Sequence, residues 1–232
     1  MKSHFHIFKY CFLATAFFSY NLLLSQSNIR PFPNFIGQSI ESVLKNDSWE
    51  ILVKAEGDLN YDSKADLVLV LQSKDSINEV RYNYTKVSKN KPRIILVCLD
   101  LHGIKRVNIQ NNRFIARGNE GGMSPYIEPE ISIKENTLTI YYQYTRGNQS
   151  YTFEFLDHEF LLTHAESHDV MGATGDYETH IFDFKNKTIF SEYGNISEEK
   201  NKSENLKLEV ELKSLTDFGE MYEWQVAENL YL

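Results

Sequence analysis

Cysteine is almost missing from this chain, with Cys11 and Cys98 the only two in 232 residues. Cys11 stands at the start of an apolar N-terminal run and Cys98 inside RIILVCLD, so once that run is removed no intramolecular disulfide can form. Cys98 then reads as a small buried hydrophobe rather than a reactive thiol. Positive charge is scarce as well: 24 Lys and Arg face 32 Asp and Glu, a formal charge of -8, with no Lys/Arg block anywhere. That balance disfavours nucleic acid and anionic lipid as partners. Long apolar runs are absent after residue 25. ADLVLVL and RIILVCL have strand length, far below the ~20 residues that cross a bilayer. Catalytic signatures are missing too: there is no G-x-S-x-G, no Walker loop and no dinucleotide fingerprint. Convergent active sites need no signature, so this weighs only lightly against an enzyme.

The N-terminus is the one strongly apolar region. MKSHFHIFK carries Lys2 and Lys9 without an acid, YCFLATAFFSYNLLLS follows, and the chain turns polar at QSNIRPFPN. A positive segment, an apolar segment and a polar stop predict a signal peptide over residues 1–25, cleaved after Ser25. Loss of Lys2 and Lys9 takes the formal charge from -8 to -10. A lipid anchor would need a Cys just beyond the apolar run, and Cys11 is in the wrong place. The expectation is a secreted or periplasmic protein with no membrane insertion after cleavage.

What is abundant is period-two alternation. After an N-terminal segment at 26–48, in which SIESVLK predicts a helical turn broken at Asp47 and Ser48, the pattern becomes that of strands. The candidates are WEILVKA, ADLVLVLQ, RIILVCLD, KRVNIQ, EISIK, TLTIYYQYT, SYTFEFL, EFLLTHAESH, THIFDF, TIFSEY and LKLEVELK. KENT, TRGNQS, LDHE and FKNK separate neighbouring runs at hairpin length. The polar stretches SKDSINEVRYNYTKVSKNKP and NISEEKNKSEN read as a loop and a solvated linker, and ARGNEGGMSPYIEP as a sharply turning loop. The fold class is therefore all-β and antiparallel, propeller-like or sandwich, with a single β domain over 49–232.

AEGDLNYDSKADLVLVL, residues 55–71, carries a comb of oxygens. Counted from Asp58, side-chain oxygens fall at positions 1, 3 and 5 (Asp58, Asn60, Asp62), the Lys64 carbonyl at 7 and Asp66 at 9. Alternate inward residues, a mid-loop carbonyl and a closing carboxylate are what a hard cation with six to eight oxygen ligands requires. Position 12 is Leu69, so the loop runs into a strand where an EF-hand would run into a helix. The stretch resembles the calcium loop of FG-GAP/VCBS-type repeats, D-x-N-x-D-G-x-x-D-L. Together with SWEILVKAEGDLN, NKPRIILVCL, EGGM and SYTFEFLDHEFLLTHAESH, it makes residues 49–193 similar to a group of small secreted bacterial proteins without an assigned activity. The resemblance implies a calcium site at Asp58, Asn60, Asp62, Lys64 and Asp66, in the ~10⁻⁴ to 10⁻³ M class of extracellular modules. One departure matters. The family's Gly at position 6 is Ser63, at a cost of roughly 1 kcal/mol if that residue turns left-handed.

Two further stretches could carry chemistry. HEFLL at 158–162 is not H-E-x-x-H, since position 162 is Leu and the segment alternates. His164, Glu166 and His168 share a strand face and could hold a transition metal with one more ligand such as His180, although solvated histidines explain the same pattern. EGGM, flanked by Arg113, Arg117, Glu120 and Tyr126, allows close backbone approach to a partner, and the Tyr-rich YYQYTRGNQSY offers contact area. The functional expectation is a calcium-stabilised binding or scaffolding module at the cell envelope, its partner a protein or carbohydrate. The alternatives are an envelope hydrolase built on EGGM and the His164/Glu166/His168 strand, and a secreted inhibitor with a basic partner.

Overall fold

In the computed structural model residues 32–82 and 87–232 are described; the expected signal peptide and residues 26–31 of the N-terminal segment lie outside them. Two antiparallel sheets carry the fold. The first has four strands in the order β1 (Trp49–Gly57), β2 (Asp66–Ser73), β5 (Arg93–Leu101), β6 (Ile104–Asn111). The second is a seven-stranded meander of β7 (Glu130–Lys134), β8 (Thr137–Gln143), β9 (Gly147–Leu156), β10 (Glu159–Val170), β11 (Asp176–Asp183), β12 (Thr188–Asn195) and β13 (Lys202–Lys207). Two short hairpins complete the set, β3 (Ile77–Glu79) with β4 (Ser88–Asn90), and β14 (Gln225–Ala227) with β15 (Leu230–Tyr231). Among the described residues no helix is long and apolar enough to cross a membrane.

Both faces of the central strands β2 and β5 are buried, which explains why they read as continuous apolar runs instead of alternating ones. Val68, Val70, Ile95 and Val97 join Ile140, Tyr151, Phe153, Phe182 and Ile189 of the second sheet in one core. The sheets thus pack as the layers of a sandwich, not as separate propeller blades. Leu67, Leu69, Ile94, Leu96 and Cys98 face the other way, onto Phe35, Val43 and Trp49. There the segment before β1 lies against β6, through Gly37 N–H to Val107 O at 2.8 Å and Val107 N–H to Gln38 O at 3.0 Å. The expected helical turn is α1 (Ile40–Val43), N-capped by Ser39. Burial pushes the Cys98 thiol up to about 12, consistent with an inert packing role.

The hairpin turns follow local chemistry. Glu135 and Asn136 (φ 49° and 62°) and Asp157 and His158 (φ 49° and 67°) take the paired left-handed conformations of two-residue turns whose twist matches the strands they join. His158 of HEFLL is therefore a turn residue. At the packed edges, a methyl on Gly57 of β1 would stand 2.6 Å from the Ile133 side chain of β7. Only glycine lets those strands approach.

Three expectations are corrected. The polar stretch 73–92 contains the β3/β4 hairpin, tied down by buried charge. NISEEKNKSEN is not all linker, since Lys202–Lys207 pairs with β12 as a fully exposed, charge-rich edge. LKLEVELK leaves the ladder at Lys207: Leu208 is buried and Val210 and Leu212 pack on the core, so its alternation marks an extended chain rather than a paired one.

Candidate functional site

The Asp58–Asp66 comb folds as a chain of Asx turns. Asp58 Oδ1 accepts from Asn60 N–H at 3.2 Å and Oδ2 from Ser63 N–H at 2.9 Å. Asn60 Oδ1 accepts from Asp62 N–H at 3.2 Å, and Asp62 Oδ1 from Lys64 N–H at 2.9 Å. Ser63 holds φ 63° and Tyr61 φ 64°, so the position where the resemblance expects Gly is left-handed here. Asp66, 0 % exposed, accepts from Leu59 N–H at 2.9 Å and Asp100 N–H at 2.8 Å. Burial raises its pKa above the ordinary value, and the two amide bonds oppose that shift. Asn136 of the β7–β8 turn reaches the loop at Asp58 O, 3.0 Å away. The loop therefore bolts the end of the first sheet to a hairpin of the second. Among the described residues no three carboxylates, imidazoles or thiols gather as a metal requires. Each Asp66 oxygen thus accepts one amide, as does each oxygen of Asp58.

The histidine strand divides between two faces. Cross-strand pairing sets Ser167 opposite His180 and His168 opposite Thr179. His164, Glu166 and His168 point away from the core, as alternation predicted, with His164 Nε2 and Glu166 Oε1 at 2.9 Å and His168 Nδ1 and Thr179 Oγ1 at 2.8 Å. His180 lies on the inner face, so it cannot complete a metal site with them.

That inner face changes character along the strands. One row, Ile140, Tyr151, Ala165, Phe182 and Ile189, is apolar. The next row in register is Tyr142, Gln149, Ser167, His180 and Ser191, and beyond it come Asp169 and Glu178. Gln149, Ser167 and His180 of the polar row form the floor of a cleft of about 580 Å³, inside the ~300–1,000 Å³ usual for small-ligand sites. Its walls are Gly121, Gly122 and Met123 of the EGGM loop, Tyr144, Tyr222, and Leu230 and Tyr231 of β15. EGGM and the His180 strand, far apart in sequence, thus meet in one place. Gln149 is 1 % and His180 4 % exposed, and neither Gln149 Nε2 nor His180 Nε2 has a hydrogen-bond partner. His180 Nδ1 is 2.9 Å from Ser191 Oγ, whereas Nε2 is 3.7 Å from Glu178 Oε2, beyond bonding range.

The EGGM loop is held by buried guanidinium groups. Residues 112–129 have no strand partner, so their carbonyls need donors from elsewhere. Arg93 Nη1 donates to Ala116 O and Ile127 O, both at 2.8 Å. Arg117 donates to Ile115 O at 2.9 Å and Asn112 O at 3.0 Å while pairing with Glu79, and Arg81 donates to Arg113 O at 2.8 Å. Glu120 accepts from Arg81 Nε at 2.6 Å, Tyr82 OH at 3.0 Å and Arg117 N–H at 2.7 Å. Arg93 also donates to Tyr126 OH at 2.9 Å. The charged flank of EGGM is therefore scaffolding. Gly122 (φ 61°) turns the chain within a bend closed by Ser124 N–H to Gly121 O at 3.0 Å. Of the Tyr-rich segment, Tyr142 and Tyr151 are core, the Tyr142 hydroxyl oxygen accepting from Ala116 N–H at 3.1 Å, and Tyr144 reaches the cleft.

No family model, no curated protein and no solved structure matches this chain.

Proposed function

We propose that this protein is an exported binding module of the cell envelope, whose binding site is the cleft over the polar row of the second sheet. The observation that carries the reading is the pair of buried, unpartnered nitrogens, Gln149 Nε2 and His180 Nε2, lining that cleft. A buried polar group left unpaired costs about 1–3 kcal/mol, a penalty that a bound ligand with matching groups relieves. Export rests on the N-terminal sequence alone, and it puts the site in the periplasm or outside the cell.

The hydrolase alternative has less behind it. Glu120 is surrounded by donors from Arg81, Tyr82 and Arg117, so its carboxylate is not free to act as acid or base. Ser191, His180 and Glu178 stand in a row that looks like a relay, but Ser191 is 0 % exposed and outside the cleft lining. A nucleophile that no substrate reaches is a packing residue. Calcium has a limited part. Asp58, Asn60, Asp62, the Lys64 carbonyl and Asp66 would hold it, and none of them lines the cleft. No step of the binding function passes through the metal.

Met123, 72 % exposed at the mouth of the cleft, provides the test. Met123→Cys labelled with a bulky maleimide plugs the opening, and with Cys98 buried and Cys11→Ser introduced the label has a single target. A thermal-shift screen against saccharides, peptides and amines should find a ligand for the unlabelled variant whose effect the label abolishes. A ligand whose effect survives the plug would place binding elsewhere and refute the reading.

A further inference from the structure

Resting on that reading of the cleft, we infer that its ligand is a saccharide. The groups that meet there differ in what they need. Gln149 Nε2 is a buried donor without an acceptor. Asp169 and Glu178 sit directly opposite one another at the cleft, two acceptor-only carboxylates whose like charges repel across the strands. Tyr222 and Tyr231, 51 % and 44 % exposed, also line the cleft.

An anionic ligand would satisfy Gln149 and Arg146 but add negative charge to a lining that already holds Glu120, Asp169 and Glu178. An ammonium would suit the carboxylates but offer Gln149 Nε2 nothing to donate to. A hydroxyl is donor and acceptor at once, so a ring carrying several answers both groups with one kind of chemistry. The C–H faces of the same ring lie flat on exposed tyrosine, where rigid apolar area ends in a polar tip. Burial raises the Tyr144 hydroxyl's pKa far above neutrality, keeping it a neutral donor and acceptor beside the sugar. The saccharide therefore lies with hydroxyls toward the floor of Gln149, Ser167 and His180, and one face toward Tyr222.

The test uses saturation-transfer NMR and titration calorimetry on the purified protein with maltotetraose, cellotetraose and chitotetraose, beside tetralysine and tetraaspartate. Gln149→Leu removes the unpartnered donor at similar volume, so its melting temperature should equal or exceed the parent's; Tyr222→Ala alters an exposed ring. The expected result is a saccharide that binds and loses at least tenfold in affinity in each variant. Binding of tetralysine or tetraaspartate alone, weakened by Gln149→Leu, would overturn the saccharide and leave the cleft as the binding site. A saccharide bound equally by the parent and both variants would overturn this inference and the choice of cleft together. No binding by any of the five probes would overturn the saccharide inference, and the Met123→Cys screen would then decide on the cleft by itself.

Discussion

Arg117→Met is the substitution with the most definite expected magnitude. The Arg117 side chain is 1 % exposed and meets Glu79 through two parallel bonds, Nε to Oε1 at 2.9 Å and Nη2 to Oε2 at 3.1 Å. It also donates to Arg93 O at 3.0 Å, Ile115 O and Asn112 O. Methionine fills much of the volume but supplies no charge and no donor. Glu79, 8 % exposed, is then left as a buried carboxylate without its counter-ion, and breaking a buried pair from one side costs about 3–5 kcal/mol. In a domain of this size each kcal/mol moves the melting temperature by roughly 2–4 °C, so a fall of roughly 6–20 °C is expected. Urea unfolding should give the same loss from the midpoint at an unchanged slope. Replacing both partners removes the stranded charge, so Glu79→Gln/Arg117→Met should be more stable than Arg117→Met alone. A single variant within about 1 kcal/mol of the parent, or a double variant no better than the single, would show that the pair is not what holds the loop.

Glu220 predicts the response to acid. Burial pushes its pKa up, but hydrogen bonding from Arg113 and the nearby Arg81 charge outweigh this and bring it below the ordinary 4.5. Its folded value is thus depressed, so its contribution to stability is present above pH 4.5 and is lost as pH falls through the lowered value. Urea midpoints measured from neutrality downward should fall less steeply for Glu220→Gln than for the parent below that pH; equal slopes would contradict the assignment. In the 58–66 loop, Ser63→Gly relieves a left-handed serine and should stabilise by about 0.5–1 kcal/mol without added metal. Because no three carboxylates, imidazoles or thiols gather among the described residues, 10 mM calcium against chelator should move the melting temperature of the parent by less than about 2 °C, whereas the ~1.4–2.7 kcal/mol of a preformed site of millimolar to tenth-millimolar affinity would raise it by roughly 3–11 °C. A larger rise abolished by Asp58→Ala and Asp62→Ala would establish a calcium site.

Much of the fold can be read from the chain because the strands of a meander are neighbours in sequence. KENT and LDHE each put two short polar residues between alternating runs, and both fold as tight left-handed turns at Glu135–Asn136 and Asp157–His158. What escapes the sequence is anything without an apolar face. The β3/β4 hairpin is three residues a side and is anchored by Glu79 pairing with Arg117, a contact across 38 positions. β13 is held by its ladder with β12 and presents only exposed side chains, so nothing in its pattern distinguishes it from a linker. The comb at 58–66 was visible as a turn, while the destination of the Asp66 carboxylate, the Asp100 amide 34 positions away, was not.

The cleft floor shows the same limit from another side. Gln149, Ser167, His180 and Ser191 become one row only through the register of four strands, and register is a property of pairing, not of any single strand. One local signal was nevertheless present. In THIFDF, His180 shares its face with Phe182 and Phe184, and in GNQSYTFEF, Gln149 shares its face with Tyr151 and Phe153; in each run a polar residue extends an apolar stripe. Such a residue either finds a partner inside the core or marks where the core stops. Here it marks where the apolar rows end, since beyond Ala165 and Phe182 the same face carries Ser167 and His180 and then Asp169 and Glu178. That inner face turns from apolar to polar toward the end where the EGGM loop and β15 wall off the cleft. The proposed cleft thus lies at the open end of the β9–β10 hairpin, away from its Asp157–His158 turn, where Gln149 pairs with Ser167 and Gly147 with Asp169.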